Sequence, residues 1–83
     1  MRGTNDKVVQ AFFNHRPLSS HNGNLKTTKT TLINYSTIIA YYENDTYYIN
    51  ISKYSRTTSK IQTLIKRYLQ GHNIENYTEY MAN

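Results

Sequence analysis

The sequence contains no cysteine and no tryptophan, a single proline and only three glycines. Without cysteine it can build neither a disulfide scaffold nor a thiolate zinc site, the usual reinforcements of a small core. The same absence fits a reducing compartment, and the expectation is a cytoplasmic protein of a bacterial host cell. No apolar run approaches the roughly 18 residues that a membrane span needs, so no membrane partner is expected. After Met1 the chain turns polar at once through Arg2, Thr4, Asn5 and Asp6, unlike a secretory leader. Acids are scarce too, five against ten lysines and arginines, and they form no obvious close pair. His15, His21 and His72 are too few and too scattered for a metal set. No phosphate-binding glycine loop or nucleophile elbow occurs. The reading is therefore a non-enzymatic protein with no catalytic residue, no metal and no cofactor.

Eighty-three residues make one small domain, 1–83, which buries about 60% of its unfolded surface. Asn, Lys, Ile, Thr and Tyr dominate, and A/T-rich codons favour most of them, which suggests a low-GC bacterium or one of its phages. The four N-x-S/T triplets, at Asn34, Asn44, Asn50 and Asn76, would then go unglycosylated.

The pattern predicts an α+β fold: a small antiparallel sheet built on a tyrosine-rich β-hairpin, packed against one basic amphipathic helix, with a short N-terminal helix. Thr4, Asn5 and Asp6 are helix-capping types, and Val8, Val9, Phe12 and Phe13 form two i,i+4 pairs. They predict a helix over 6–14, stopped by Pro17. Residues 17–30 have the composition of a flexible loop. Residues 31–43 are β-branched and aromatic, long for one strand, and a break is expected near 34–36. Asn44-Asp45 predicts a two-residue hairpin turn before a return strand over 46–53. Ile61, Leu64, Ile65, Tyr68 and Leu69 follow the i, i+3, i+4, i+7, i+8 stripe of a helix packed on a core. Ser55, Thr57, Thr58 and Ser59 offer caps at its start, and Gly71 a stop. Residues 72–83 read as a weakly ordered tail, with a short amphipathic turn through Ile74, Tyr77 and Met81.

The net charge of +5 is clustered, for Lys53, Arg56, Lys60, Lys66 and Arg67 lie together with no acid among them. Clustered charge favours a polyanionic partner. Arg56, Lys60, Thr63 and Arg67 fall in one stripe of the predicted helix, spanning about 16 Å, a length that can follow a phosphate backbone or an acidic protein groove. Thr57 and Ser59 add hydroxyls where the helix start presents free N–H groups, a setting suited to anions. The same residues also suit an ordinary solvated helix face. Nine tyrosines are the other anomaly. Tyr42 and Tyr48 are the candidates for an exposed surface, either stacking bases or anchoring a protein interface.

Leu32-x-x-Tyr35-x-Thr37-x-Ile39-Ala40, then Ile49-Asn50, then Lys53-Tyr54-Ser55-x-Thr57-Thr58-Ser59-Lys60 is similar to a pattern in small accessory proteins of phages of Gram-positive bacteria. The resemblance covers residues 31–66 and implies a hairpin leading into a helix, in a phage protein acting inside its host on nucleic acid or on host defence, as anti-CRISPR proteins do. The partner expected is nucleic acid or a nucleoprotein complex. The alternative is a protein-interaction module, on a host protein or as a homo-oligomer, with no nucleic-acid contact.

Overall fold

The computed structural model describes residues 2–82. In chain order its elements are β1 (Arg2–Gly3), α1 (Asn5–Phe13), β2 (Leu18–Ser20), β3 (Leu25–Thr27), β4 (Thr31–Asn34), β5 (Thr37–Glu43), β6 (Thr46–Asn50), α2 (Arg56–Gly71) and β7 (Tyr77–Tyr80). The strands form one seven-stranded sheet in sequence order. β2 to β6 pair antiparallel as a meander. The two edge strands run parallel to their neighbours, β1 to β2 across α1 and β7 to β6 across α2. A parallel pair needs such a crossover, and a helix is the usual one. The class is α+β as expected, but the sheet is mixed and much larger than one hairpin.

Both helices cover the same face of the sheet. Val8, Val9, Phe12 and Phe13 of α1 meet Ile61, Ile65 and Leu69 of α2 over Leu25, Leu32, Ile39, Ala40, Tyr47 and Ile49. Each fully buried Ile, Leu, Val or Phe contributes about 1.5–3 kcal/mol, which drives two short helices onto the sheet. Thr4 caps α1, its side chain accepting from the Lys7 N–H at 3.4 Å, and Asp6 sits at the positive end of the helix dipole. Ser55 caps α2 in the same way, accepting from the Thr58 N–H at 3.4 Å. Gly71 is the last residue of α2, and the left-handed turn after it falls to Asn73, with φ +52°.

Asn44 and Asp45 take φ +52° and +62°, the two left-handed positions of a type I′ turn, as the sequence predicts. The break expected near 34–36 is a full chain reversal: Tyr35, at φ +58°, turns β4 back on β5. Residues 17–30 are not a loop. They hold β2 and β3, joined by a turn in which Gly23 takes φ +77°. The expected weakly ordered tail likewise contains strand β7 and no helical turn, with Asn83 outside the described residues.

Leu32 pairs with Ala40 and Ile33 with Ile38, which leaves Ile39 as an extra residue in β5. This bulge turns both Ile39 and Ala40 into the core and reverses the alternation beyond them. From there, Tyr42 and Tyr47 point to the helix side, while Tyr41 and Tyr48 point to the open side.

Candidate functional site

α2 places the predicted cationic residues. Arg56, Lys60, Thr63 and Arg67 are all exposed and lie within about 60° of one another around the helix, opposite Ile61, Ile65 and Leu69. No acidic residue lies in α2, so nothing on the helix offsets this stripe. The Thr63 hydroxyl donates to the Ser59 carbonyl at 3.0 Å. Lys66 is exposed but points to the flank, over an open groove of about 410 Å³ between α2 and β7 that also holds Leu69, Ile74, Tyr77 and Glu79. Lys53 is exposed in the connection from β6 to α2. That connection is fixed: the Gln62 amide donates to the carbonyls of Asn50 at 2.8 Å and Ser52 at 2.9 Å.

The hydroxyls at the start of α2 divide by role. Ser55 is the cap, and Thr58 is buried, its hydroxyl donating to Asn34 Oδ1 at 2.7 Å. The Asn34 amide in turn donates to the Asn24 carbonyl at 3.1 Å, which ties the helix start to the β2–β3 turn. Thr57 and Ser59 remain exposed beside Arg56 and Lys60. Two of the four hydroxyls, those of Ser55 and Thr58, are therefore structural. Asn34 and Asn50 are buried and hydrogen-bonded, so two of the N-x-S/T triplets have no accessible asparagine.

The tyrosines occupy two surfaces. Tyr48 lies on the open face, as predicted, stacked on Tyr41 with ring centroids 4.8 Å apart and planes at 12°. Tyr80 joins them 5.8 Å from Tyr41, and Ile33, Ile38 and Lys26 continue the same face. Tyr42 does not. It lies on the helix side, 4.6 Å from Tyr47 and 4.6 Å from His15, and its hydroxyl donates to Asp45 at 3.0 Å. Tyr42 and Tyr48 therefore do not form one stacking surface; Tyr41 is the true neighbour. The bulge at Ile39 hides this from simple alternation, and nothing local in the sequence announces Tyr80.

Three phenols have raised pKa values. The hydrogen bond to Asp45 is the main cause for Tyr42. Burial is the main cause for Tyr47, whose hydroxyl donates to the Phe13 carbonyl at 3.1 Å, and for Tyr80.

The two candidate surfaces are on opposite sides of the molecule. The cations of α2 point away from the sheet, whereas Tyr41 and Tyr48 point away from the helices. A single short strand of nucleic acid cannot lie along both. Among the described residues no group of three or more His, Asp or Glu side chains is arranged to hold a metal, and no helix is long and apolar enough to cross a membrane. No protein-family model matches the sequence, and neither a curated protein nor a solved structure matches it significantly.

Proposed function

We propose that the chain is a small non-enzymatic binding protein, of the phage accessory kind, whose α2 outer face engages the phosphate backbone of nucleic acid, free or within a nucleoprotein complex. One observation carries this reading: Arg56, Lys60 and Arg67 share an exposed stripe on a 16-residue helix whose opposite side is committed to the core. A rigidly held row of cations about 16 Å long matches several successive phosphates. Lys53, Thr57, Ser59 and Lys66 flank the row and complete the proposed contact set. The test is binding of labelled duplex and single-stranded oligonucleotides, followed by fluorescence anisotropy. Arg56→Ala with Lys60→Ala should weaken binding to all sequences alike, because phosphate contacts carry no base information. Unchanged affinity in that double variant would remove the proposal.

A second reading is favoured by the Tyr41–Tyr48 stack with Ile33 and Ile38 on the uncovered sheet face. Tyrosine offers large rigid contact area with a polar tip, as protein interfaces use. Tyr48→Ala discriminates between the two: it should leave oligonucleotide binding intact if α2 is the nucleic-acid surface.

A further inference from the structure

We propose that β7 is an interface strand, and that it pairs antiparallel with β7 of a second copy of this chain. The proposal stands apart from the nucleic-acid reading. It rests on the hydrogen-bonding state of the strand. The Tyr47 N–H donates to the Asn76 carbonyl at 2.9 Å, and the Ile51 N–H donates to the Tyr80 carbonyl at 2.8 Å. Bonding residues alternate along a parallel strand, so Asn76, Thr78 and Tyr80 turn their backbone toward β6. Tyr77 and Glu79 turn theirs to the open edge. The Tyr77 N–H is used locally, donating to the Glu75 carbonyl at 2.9 Å. Among the described residues nothing bonds the Tyr77 carbonyl or either backbone group of Glu79.

Folded proteins usually guard such an edge with proline, lysine, a bulge or a cover. β7 (Tyr-Thr-Glu-Tyr) has neither proline nor lysine, and its register with β6 runs without a shift. Exposed apolar side chains gather there: Tyr77 is 41% exposed, Met81 69%, and Ile51, bonded to the end of the strand, 38%. The opposite edge differs, since β1 is only two residues long.

The charges select the occupant. The groove beside the edge carries Lys66 together with Glu75 and Glu79, both signs on one surface. A two-fold contact between identical surfaces can match Lys66 of one copy to the glutamates of the other, a complementarity that this surface carries in itself. Outward-facing residues must oppose outward-facing residues, which leaves two central registers. One sets Glu79 against Glu79 of the partner subunit, a like-charge pair that is disfavoured. The other sets Tyr77 against Glu79 of the partner subunit and puts Thr78 on the two-fold axis, facing its own copy. Because the Tyr77 N–H stays on the Glu75 carbonyl, each strand contributes one bond across the seam, from its Glu79 N–H to the Tyr77 carbonyl opposite. We assign the second. It joins two seven-stranded sheets into one continuous sheet with all four helices on the same side. Both α2 helices then flank the axis, because α2 lies between α1 and the β7 edge.

The absence of cysteine makes the test direct. In this register Thr78 is a non-hydrogen-bonded pair with Cα atoms about 4.5 Å apart, within disulfide reach. Thr78→Cys should therefore convert to covalent dimer under mild oxidation, while Lys26→Cys, on the open face, stays monomeric on a non-reducing gel. Sedimentation of the unmodified chain should give twice 9.8 kDa. Glu79→Pro removes an outward N–H without touching the β6 ladder and should return the mass to 9.8 kDa with unchanged circular dichroism. A wild-type mass of 9.8 kDa at the highest soluble concentration overturns the proposal. So does Thr78→Cys cross-linking no faster than Lys26→Cys.

Discussion

Replacing Thr58 by valine tests whether the hydroxyl-rich start of α2 is architecture or surface. Thr58 is 4% exposed and Asn34 2% exposed, and the bond between them is 2.7 Å long. Valine keeps the shape but removes the donor, leaving the buried Asn34 Oδ1 unmatched. Flipping the amide offers no escape, because the Asn24 carbonyl also needs the Asn34 donor. An unsatisfied buried acceptor costs about 1–3 kcal/mol. For a domain of this size each kcal/mol moves the melting midpoint by about 4–8 °C, so a loss of about 2 kcal/mol lowers it by about 8–16 °C. Thr57→Val, one residue earlier and exposed, should stay within about 0.5 kcal/mol of wild type. Urea and thermal unfolding followed by circular dichroism measure both variants. Equal stability of Thr58→Val and wild type would refute the reasoning, and so would an equal loss in Thr57→Val.

Three further outcomes are expected. Ile65→Ala opens a cavity at a fully buried contact between α2 and the sheet, and should cost about 2–5 kcal/mol in urea unfolding. Ser55→Ala removes the α2 cap and should cost about 1 kcal/mol in the same assay. Tyr42, Tyr47 and Tyr80 hold their protons more tightly when folded than the ordinary tyrosine value of 10.0, so the unfolded chain ionises first. Their contribution is fully present below that value and is lost as pH rises through the folded pKa values. The unfolding midpoint should therefore be insensitive to these groups from neutral pH to about 9 and fall above about 10. Tyrosinate absorbance should rise later in the folded protein than in the unfolded chain.

Both helices were readable from side-chain spacing, because a helix is a local structure and Val8, Val9, Phe12, Phe13, Ile61, Ile65 and Leu69 repeat at its period. The Asn44-Asp45 turn was readable for the same reason, since both residues tolerate left-handed backbone. The reversal at Tyr35 was not: a tyrosine at φ +58° carries no turn signature, and only the excessive length of the run gave a hint. β2 and β3 have three residues each, too few for alternation to show, and Gly23 was the surviving clue to their turn. β7 depends on parallel pairing with β6 across the whole of α2, a non-local contact that no window of sequence contains. At the candidate site the cationic stripe of α2 was legible in full. The tyrosine surface was not, because the bulge at Ile39 exchanges Tyr42 for Tyr41.

The central claim is that α2 has two sides with separate duties, one holding the sheet and the other holding phosphates. The most direct test is the salt dependence of duplex binding by wild type and by a variant with Arg56, Lys60 and Arg67 all changed to alanine. Three lost phosphate contacts should reduce the slope of log affinity against log salt by about 2.7, while the unfolding midpoint stays close to wild type. A wild-type slope near zero, or one that the triple substitution leaves unchanged, would contradict the account.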